Sequence, residues 1–444
     1  MRQWELLLYR SVAGEPLFEK ITGLLDRLSA GQGGCEDVAM TPFSDRMTRD
    51  DCRIFHEAMG ELIDFGSRHG FYGNLWQDYI ANLMVNSENA FSLASEIRTE
   101  VEGSLRKLAI HDFQILKSAF GADLLSLAGA FGAEDIVREI CSFTPPKEAG
   151  RIYNTRIRDR IVEVAGKLGD APASEYYPIM AEFYREYGVG RFGLHKAFRL
   201  EHEGQKVQIV PILNIKHVQL EDLVGYEDAK QKLVENTEAF VAGRAANNCL
   251  LYGEAGTGKS SSIKAICNRY YEKGLRIIEI YKHQFGDLND VISQIKGRNY
   301  KFILYMDDLS FEDFEIEYKY LKAVIEGGLE KKPDNVLIYA TSNRRHLVKE
   351  TFKDREDAPE DIHKNDSVQE KLSLSSRFGV SIYFPAPMKK EYEHIVRELA
   401  ARNHIVMPDS ELMLKASQWE LSHGGMSGRT AQQFIDDLLG KETP

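Results

Sequence analysis

Residues 251–260 read LYGEAGTGKS, and their interpretation decides the architecture of the C-terminal half of the chain. The stretch from Gly253 to Ser260 satisfies GxxxxGKS, with an apolar run before it and a helical pattern after it. In a strand, loop and helix of this kind the backbone N–H groups of Gly253, Glu254, Ala255, Gly256, Thr257 and Gly258 converge on phosphate oxygens. The N-terminus of the following helix adds positive potential there. Lys259 is placed to reach the outer phosphates of a nucleotide, the Ser260 hydroxyl to ligate a magnesium ion, and Ser261, in the first helical turn, is the last of the candidate nucleotide-binding residues. A glycine-rich loop alone holds a nucleotide and cannot hydrolyse one, so the rest of the chain decides what the loop does.

The next element is KFILYMDD, an apolar strand that delivers Asp307 to its C-terminal end, where a carboxylate can hold Mg²⁺ directly or through water. Asp308 beside it is the candidate for polarising an attacking water; a plain strand-end cap is the other reading. A further strand ends in YATSN, so that Asn343 is placed to bond the water or the terminal phosphate, with Thr341 the weaker alternate. LSLSSRFG offers Arg377 as a rigid charge, and a neighbouring subunit's nucleotide or an intrachain salt bridge are its two destinations. HGGMSGRTAQQF places Arg429 at the start of a late helix, behind glycines that permit a tight entry.

Outward from these motifs, the residues from about 214 onward alternate short apolar strands (RIIEI, KFILYMDD, NVLIYATSN) with helical segments, the pattern of a mostly parallel sheet. MKKEYEHIVRELAARNHI, DSELMLKASQWEL and GRTAQQFIDDLLG then predict a small helical bundle. Residues up to about 205 read as helices joined by polar turns. DDCRIFHEAMGELIDFG has Asp50 as candidate cap, and PASEYYPIMAEFYREYG sets Tyr176, Ile179 and Phe183 on one stripe suited to helix packing. Pro145 and Pro146 mark an internal boundary. KAFRLEHEGQKVQIVPI suggests a small hairpin bridging the helical region to the α/β region. The expected domains are therefore 1–205, mostly helical with a terminal strand or hairpin; 206–387, α/β; and 388–444, a helical lid.

Composition bounds the partners. The chain has 444 residues, 43% of them hydrophobic and 28% charged, which describes a globular protein of two or three domains. Its formal charge of -12, from 56 Lys plus Arg against 68 Asp plus Glu, disfavours nucleic acid as a bulk electrostatic partner. A local basic edge at Arg344, Arg345, His346, Lys349 and Lys353 is a weaker reading than a solvated turn, and the acidic, proline-interrupted stretch after it reads as an exposed insertion. The odd, scattered set Cys35, Cys52, Cys141, Cys249 and Cys267 fits free thiols and a reduced compartment. With a poor signal peptide and no apolar run of membrane-spanning length, the expectation is a cytoplasmic protein with no membrane contact.

LYGEAGTGKS, FILYMDD, ATSN, SSRFG and GMSGRT occur in the order expected of an AAA+ ATPase over about residues 215 to 442, and the chain resembles that family. The resemblance implies an α/β P-loop core with a parallel sheet and a C-terminal helical lid, ATP and Mg²⁺ as ligands, and a homo-oligomer, with a hexamer the family expectation. It makes Gly253 to Ser260 the Walker A loop, Asp307 and Asp308 the Walker B acids, Asn343 sensor 1, Arg377 the arginine finger and Arg429 sensor 2. It also makes Val224, Gly225 and Tyr226 base-pocket residues. Asp308 departs from the general pattern, which prefers Glu. The double aspartate in DDLSF, Asp307 to Phe311, is similar to that of a bacterial family of predicted AAA+ ATPases known as a domain of unknown function. Two functions are open: an ATPase that remodels an unknown macromolecular partner, a protein before a nucleic acid, and an ATP-responsive adaptor or scaffold that hydrolyses little.

Overall fold

The computed structural model describes residues 3–30, 47–97, 100–145, 155–204, 206–213, 215, 217–311, 316–326, 333–343, 347, 374 and 376–441. Cys35, Pro146, the basic set Arg344, Arg345, His346, Lys349 and Lys353, and the acidic insertion after it lie outside the described residues. The chain divides into two compact units, Met1–Leu194 and His195–Pro444.

Among its described residues the first unit is helical, with one isolated bridge between Gly73 and Phe143. Its longest helix, Arg49–His69, starts at Thr48 and not at the expected cap Asp50. The Thr48 side chain accepts from the Asp51 N–H while the Asp51 carboxylate accepts from the Thr48 N–H, a reciprocal pair that satisfies two otherwise free donors. The aromatic stripe packs as expected: Tyr176 and Phe183 on the helix Ala173–Tyr187 are buried in one core with Phe18, Phe55, Trp76, Phe91 and Phe113. Several buried polar atoms there are paired in ordered chains. Tyr184 donates to the Met84 carbonyl at 2.6 Å, so its hydroxyl accepts from Tyr9 at 2.9 Å. The Asp112 carboxylate accepts the N–H groups of Leu7, Leu8 and Tyr9 and pins the chain's first segment to the helix Ser104–Phe120.

The second unit carries a seven-stranded sheet: β1 (Ala197–Glu203), β2 (Lys206–Pro211), β3 (Cys249–Gly253), β4 (Leu275–Glu279), β5 (Lys301–Met306), β6 (Val336–Ser342) and β7 (Val380–Phe384). The order is β2-β1-β4-β5-β6-β3-β7, and only the β1–β2 pair is antiparallel. The hairpin is therefore an extension of the main sheet, joined through β1 in parallel with β4, and not a separate bridge. β6 is buried along its whole length and β5 from Phe302 to Met306, as strands covered on both faces must be. Helices flank the sheet, and Lys389–Arg402, Asp409–Ser422 and Gly428–Lys441 form the lid around Val396, Leu412, Phe434 and Ile435. This is the α/β core with a C-terminal helical lid that the resemblance implied.

β7 went unread in the sequence. VSIYF exposes Ser381 and Tyr383 and buries Ile382 and Phe384, so an edge strand offers too short an alternation to stand out. Cys52, Cys141, Cys249 and Cys267 are free thiols. Among the described residues no helix is long and apolar enough to cross a membrane.

Candidate functional site

Sheet order positions the site. β6 lies between β3, which runs into the glycine loop, and β5, which ends at Asp307, so three strand ends bring their polar residues to one place. The loop needs its glycines. Gly253, at φ 135°, has the Phe384 carbonyl oxygen 2.0 Å from where a Cβ would stand, and the next residue's N–H donates to that same oxygen at 3.1 Å. Gly256 (φ 76°) and Gly258 (φ 93°) are also left-handed, and Gly258 caps the helix Lys259–Tyr270.

Lys259 is buried at 6% exposure, and its ammonium donates to the carbonyls of Gly253 (2.9 Å) and Glu254 (2.6 Å) and to Asn343 Oδ1 (3.0 Å). Burial pushes its pKa below the ordinary lysine value, although Asp308, Glu254 and Asp307 pull it back up. Asn343 faces both ways, because its Nδ2 donates to Asp308 Oδ1 at 2.9 Å. Ser260 Oγ donates to Asp307 Oδ1 at 2.7 Å, and Thr341 Oγ1 donates to the same oxygen at 2.5 Å. Burial raises the Asp307 pKa, yet the hydrogen bonds from Thr341 and Ser260 outweigh it and hold the carboxyl below its usual range. Asp308 is left-handed at φ 49°, one of three such non-glycine residues among those described.

The lid meets the loop through its last helix. Ser427 Oγ accepts the Thr430 N–H at 3.0 Å as a helix cap, and the Arg429 N–H, free at a helix start, donates to the Gly256 carbonyl at 3.1 Å. The Arg429 side chain is exposed, and its charge contributes to the depressed Lys259 pKa. The expected base segment sits at the seam of core and lid: Val224 packs into the lid cluster, while Tyr226 packs against the sheet, its ring 5.4 Å from Phe384 and its hydroxyl donating to the Pro385 carbonyl. Leu223, Val224 and Gly225 line a cavity of about 420 Å³ whose lid side is His394, Glu398 and Arg402.

Lys259, Ser260, Asp307, Asp308, Asn343 and the Arg429 backbone thus form one connected set. Arg377 stands apart from it, paired with Glu326 of its own chain at 2.6 Å. The sequence reading missed Glu326, Ser427 and the two-sided bonding of Thr341. A hydroxyl inside an otherwise apolar strand was the available signal for the last of these.

A family model described as "Protein of unknown function (DUF815)" matches residues 193–442. Over 81 residues the chain is 31% identical to the replication factor C large subunit of Staphylothermus marinus, a match that spans 18% of this chain and 18% of that protein. Among solved structures, a proline-to-glycine variant of Thermotoga maritima RuvB shares 17% identity over 50% of this chain and 67% of its own, with a TM-score of 0.36. The structure titled Thermotoga maritima RuvB Holliday junction branch migration motor shares 15% over 50% and 73%, with a TM-score of 0.33.

Proposed function

The chain belongs to the family described as Protein of unknown function (DUF815), and from the geometry of its glycine loop we propose that it binds ATP with Mg²⁺ and hydrolyses it. The observation that carries this reading is the meeting of Ser260 Oγ and Asp307 Oδ1 at 2.7 Å beside the buried Lys259. A hydroxyl and an ionised carboxylate are hard oxygen donors of the kind Mg²⁺ takes alongside phosphate oxygens, so the residues fit the ion. When bound, Mg²⁺ would neutralise charge on the phosphates.

The chain's own residues would do the rest. The amides from Ala255 to Gly258 hold the phosphates, the Glu254 N–H being bonded to the Phe384 carbonyl, and Lys259 exchanges two backbone carbonyls and Asn343 for phosphate oxygens. Asp308 and Asn343 orient the water that attacks the terminal phosphoryl group as the bond to ADP breaks. The cavity beside Val224, Gly225 and Tyr226 would take the base. Through the Gly256 carbonyl and the Arg429 N–H, a shift of the loop is passed to the lid, which suits a protein that converts nucleotide state into work on a partner. A homo-oligomer, with six copies the family expectation, would bring Arg377 to a neighbour's site. The acidic net charge favours a protein partner over nucleic acid.

An ATP-responsive adaptor is the second reading. It is favoured by one observation: Asp308, a residue shorter than Glu, already has its carboxylate engaged by Asn343. Phosphate release and particle size measured together across protein concentration test the first reading. Wild type should turn over and Lys259→Ala should not; turnover that is absent, or that survives Lys259→Ala, overturns it. Partner capture that depends on ATP and survives Asp308→Ala would favour the adaptor.

A further inference from the structure

Thr341 has a single hydroxyl placed between the two aspartates. It donates to Asp307 Oδ1 at 2.5 Å and accepts the Asp308 N–H at 3.0 Å. The direction is forced, because an ionised carboxylate only accepts and an amide N–H only donates. The backbone of Thr341 adds a second hold, its carbonyl accepting the Leu309 N–H at 2.7 Å. Asp308 is therefore held on both sides in its left-handed turn at φ 49°, a conformation that Asp adopts more readily than most L-residues. Thr341 is buried at 1% exposure on β6, the strand between the glycine loop and Asp307, so water does not replace its hydroxyl.

Resting on the ATPase reading above, we propose that Thr341 is the positioning residue that sets both aspartates: its hydroxyl fixes the rotamer of the magnesium-binding Asp307 and its two oxygens fix the turn that presents Asp308. This role differs from direct contact with the attacking water. The hydroxyl's one proton is already given to Asp307, and it accepts from the Asp308 N–H. It also accounts for an Asp at position 308: a clamped left-handed backbone sets where the shorter side chain starts.

The test compares Thr341→Val, which keeps the shape and removes the hydroxyl, with Thr341→Ser, which keeps the hydroxyl. ATP affinity is measured in EDTA and at graded Mg²⁺, beside the turnover rate. Thr341→Val should leave affinity in EDTA within about twofold of wild type, and raise the Mg²⁺ concentration for half effect and lower turnover by roughly ten- to a hundredfold, as for supporting residues behind metal ligands. Thr341→Ser should restore both to within about threefold. If Thr341→Val responds to Mg²⁺ as wild type does, if Thr341→Ser is as impaired as Val, or if Val loses ATP affinity in EDTA as well, Thr341 is a packing residue and the proposal fails. A wild type with no Mg²⁺-dependent turnover sinks the ATPase reading itself, a result distinguishable from the other three.

Discussion

Arg377 and Glu326 form an ion pair within one chain, Nη2 to Oε1 at 2.6 Å, with the two side chains 38% and 32% exposed. A pair this open to solvent contributes only about 0–1 kcal/mol, because water screens it and two long side chains must be held still. Arg377 is thus parked at low cost, free to leave for a stronger anion.

Glu326→Gln should therefore change the thermal midpoint little while making Arg377 easier to release. If Arg377 serves a neighbouring copy, Glu326→Gln should raise turnover at limiting protein concentration, and Arg377→Ala should lower turnover only where the protein assembles. An Arg377→Ala defect of equal size in particles shown to be single chains would place its action within its own chain.

Tyr176 lies on the helix Ala173–Tyr187, fully buried between the rings of Phe113 and Phe120, and its phenol has no hydrogen-bond partner among the described residues. An orphaned buried hydroxyl costs about 1–3 kcal/mol, so Tyr176→Phe should leave the protein as stable or about 1 kcal/mol more stable. Chemical denaturation measures this. A loss above about 1 kcal/mol would mean that the phenol has a partner in solution.

The two halves of the chain were not equally legible. β3, β5 and β6 are buried on both faces and announce themselves as apolar runs ending in GEAGTGKS, DD and SN, so the sheet core and Lys259, Ser260, Asp307 and Asn343 could be placed from the sequence. β7, half exposed, could not. Nor could the Glu326 partner of Arg377 or the bond from Arg429 to Gly256, because nothing local encodes which distant surface an exposed arginine or a free helix N–H will meet. Thr48 took the cap from Asp50 because only it stands three residues before a carboxylate that can return the bond.

Asp78, in the first unit, is 3% exposed, and its Oδ2 has no partner among the described residues. Burial alone raises its pKa from 3.8 to about 7. A carboxyl raised on folding binds its proton more tightly in the native state, so its stabilising effect is complete below pH 3.8 and is lost as pH rises toward 7. The whole effect is on the order of 4 kcal/mol. Asp78→Asn, neutral at every pH, should lose less stability than wild type between about pH 4 and pH 7, by several degrees of thermal midpoint. Parallel curves for the two proteins would show that Asp78 ionises without penalty.

Gly256 couples loop and lid in the most direct way, because its carbonyl accepts the Arg429 N–H while its α-carbon faces the lid. A Cβ there would stand 2.8 Å from Ser427 Oγ and 3.0 Å from Arg429 Cβ, on a backbone at φ 76° that disfavours any side chain. Gly256→Ala must then displace the cap of the helix Gly428–Lys441, carry about 1–2 kcal/mol of backbone strain, or both. The expected outcome is weaker ATP binding together with faster proteolysis or hydrogen exchange of residues 428–441, while the first unit's exchange is unchanged. Ser427→Gly, which removes the nearer obstacle, should return part of the ATP affinity in the double variant. If Gly256→Ala weakens ATP binding with no change in the lid helix, the loop and lid are mechanically independent, and nucleotide state reaches the partner by another route.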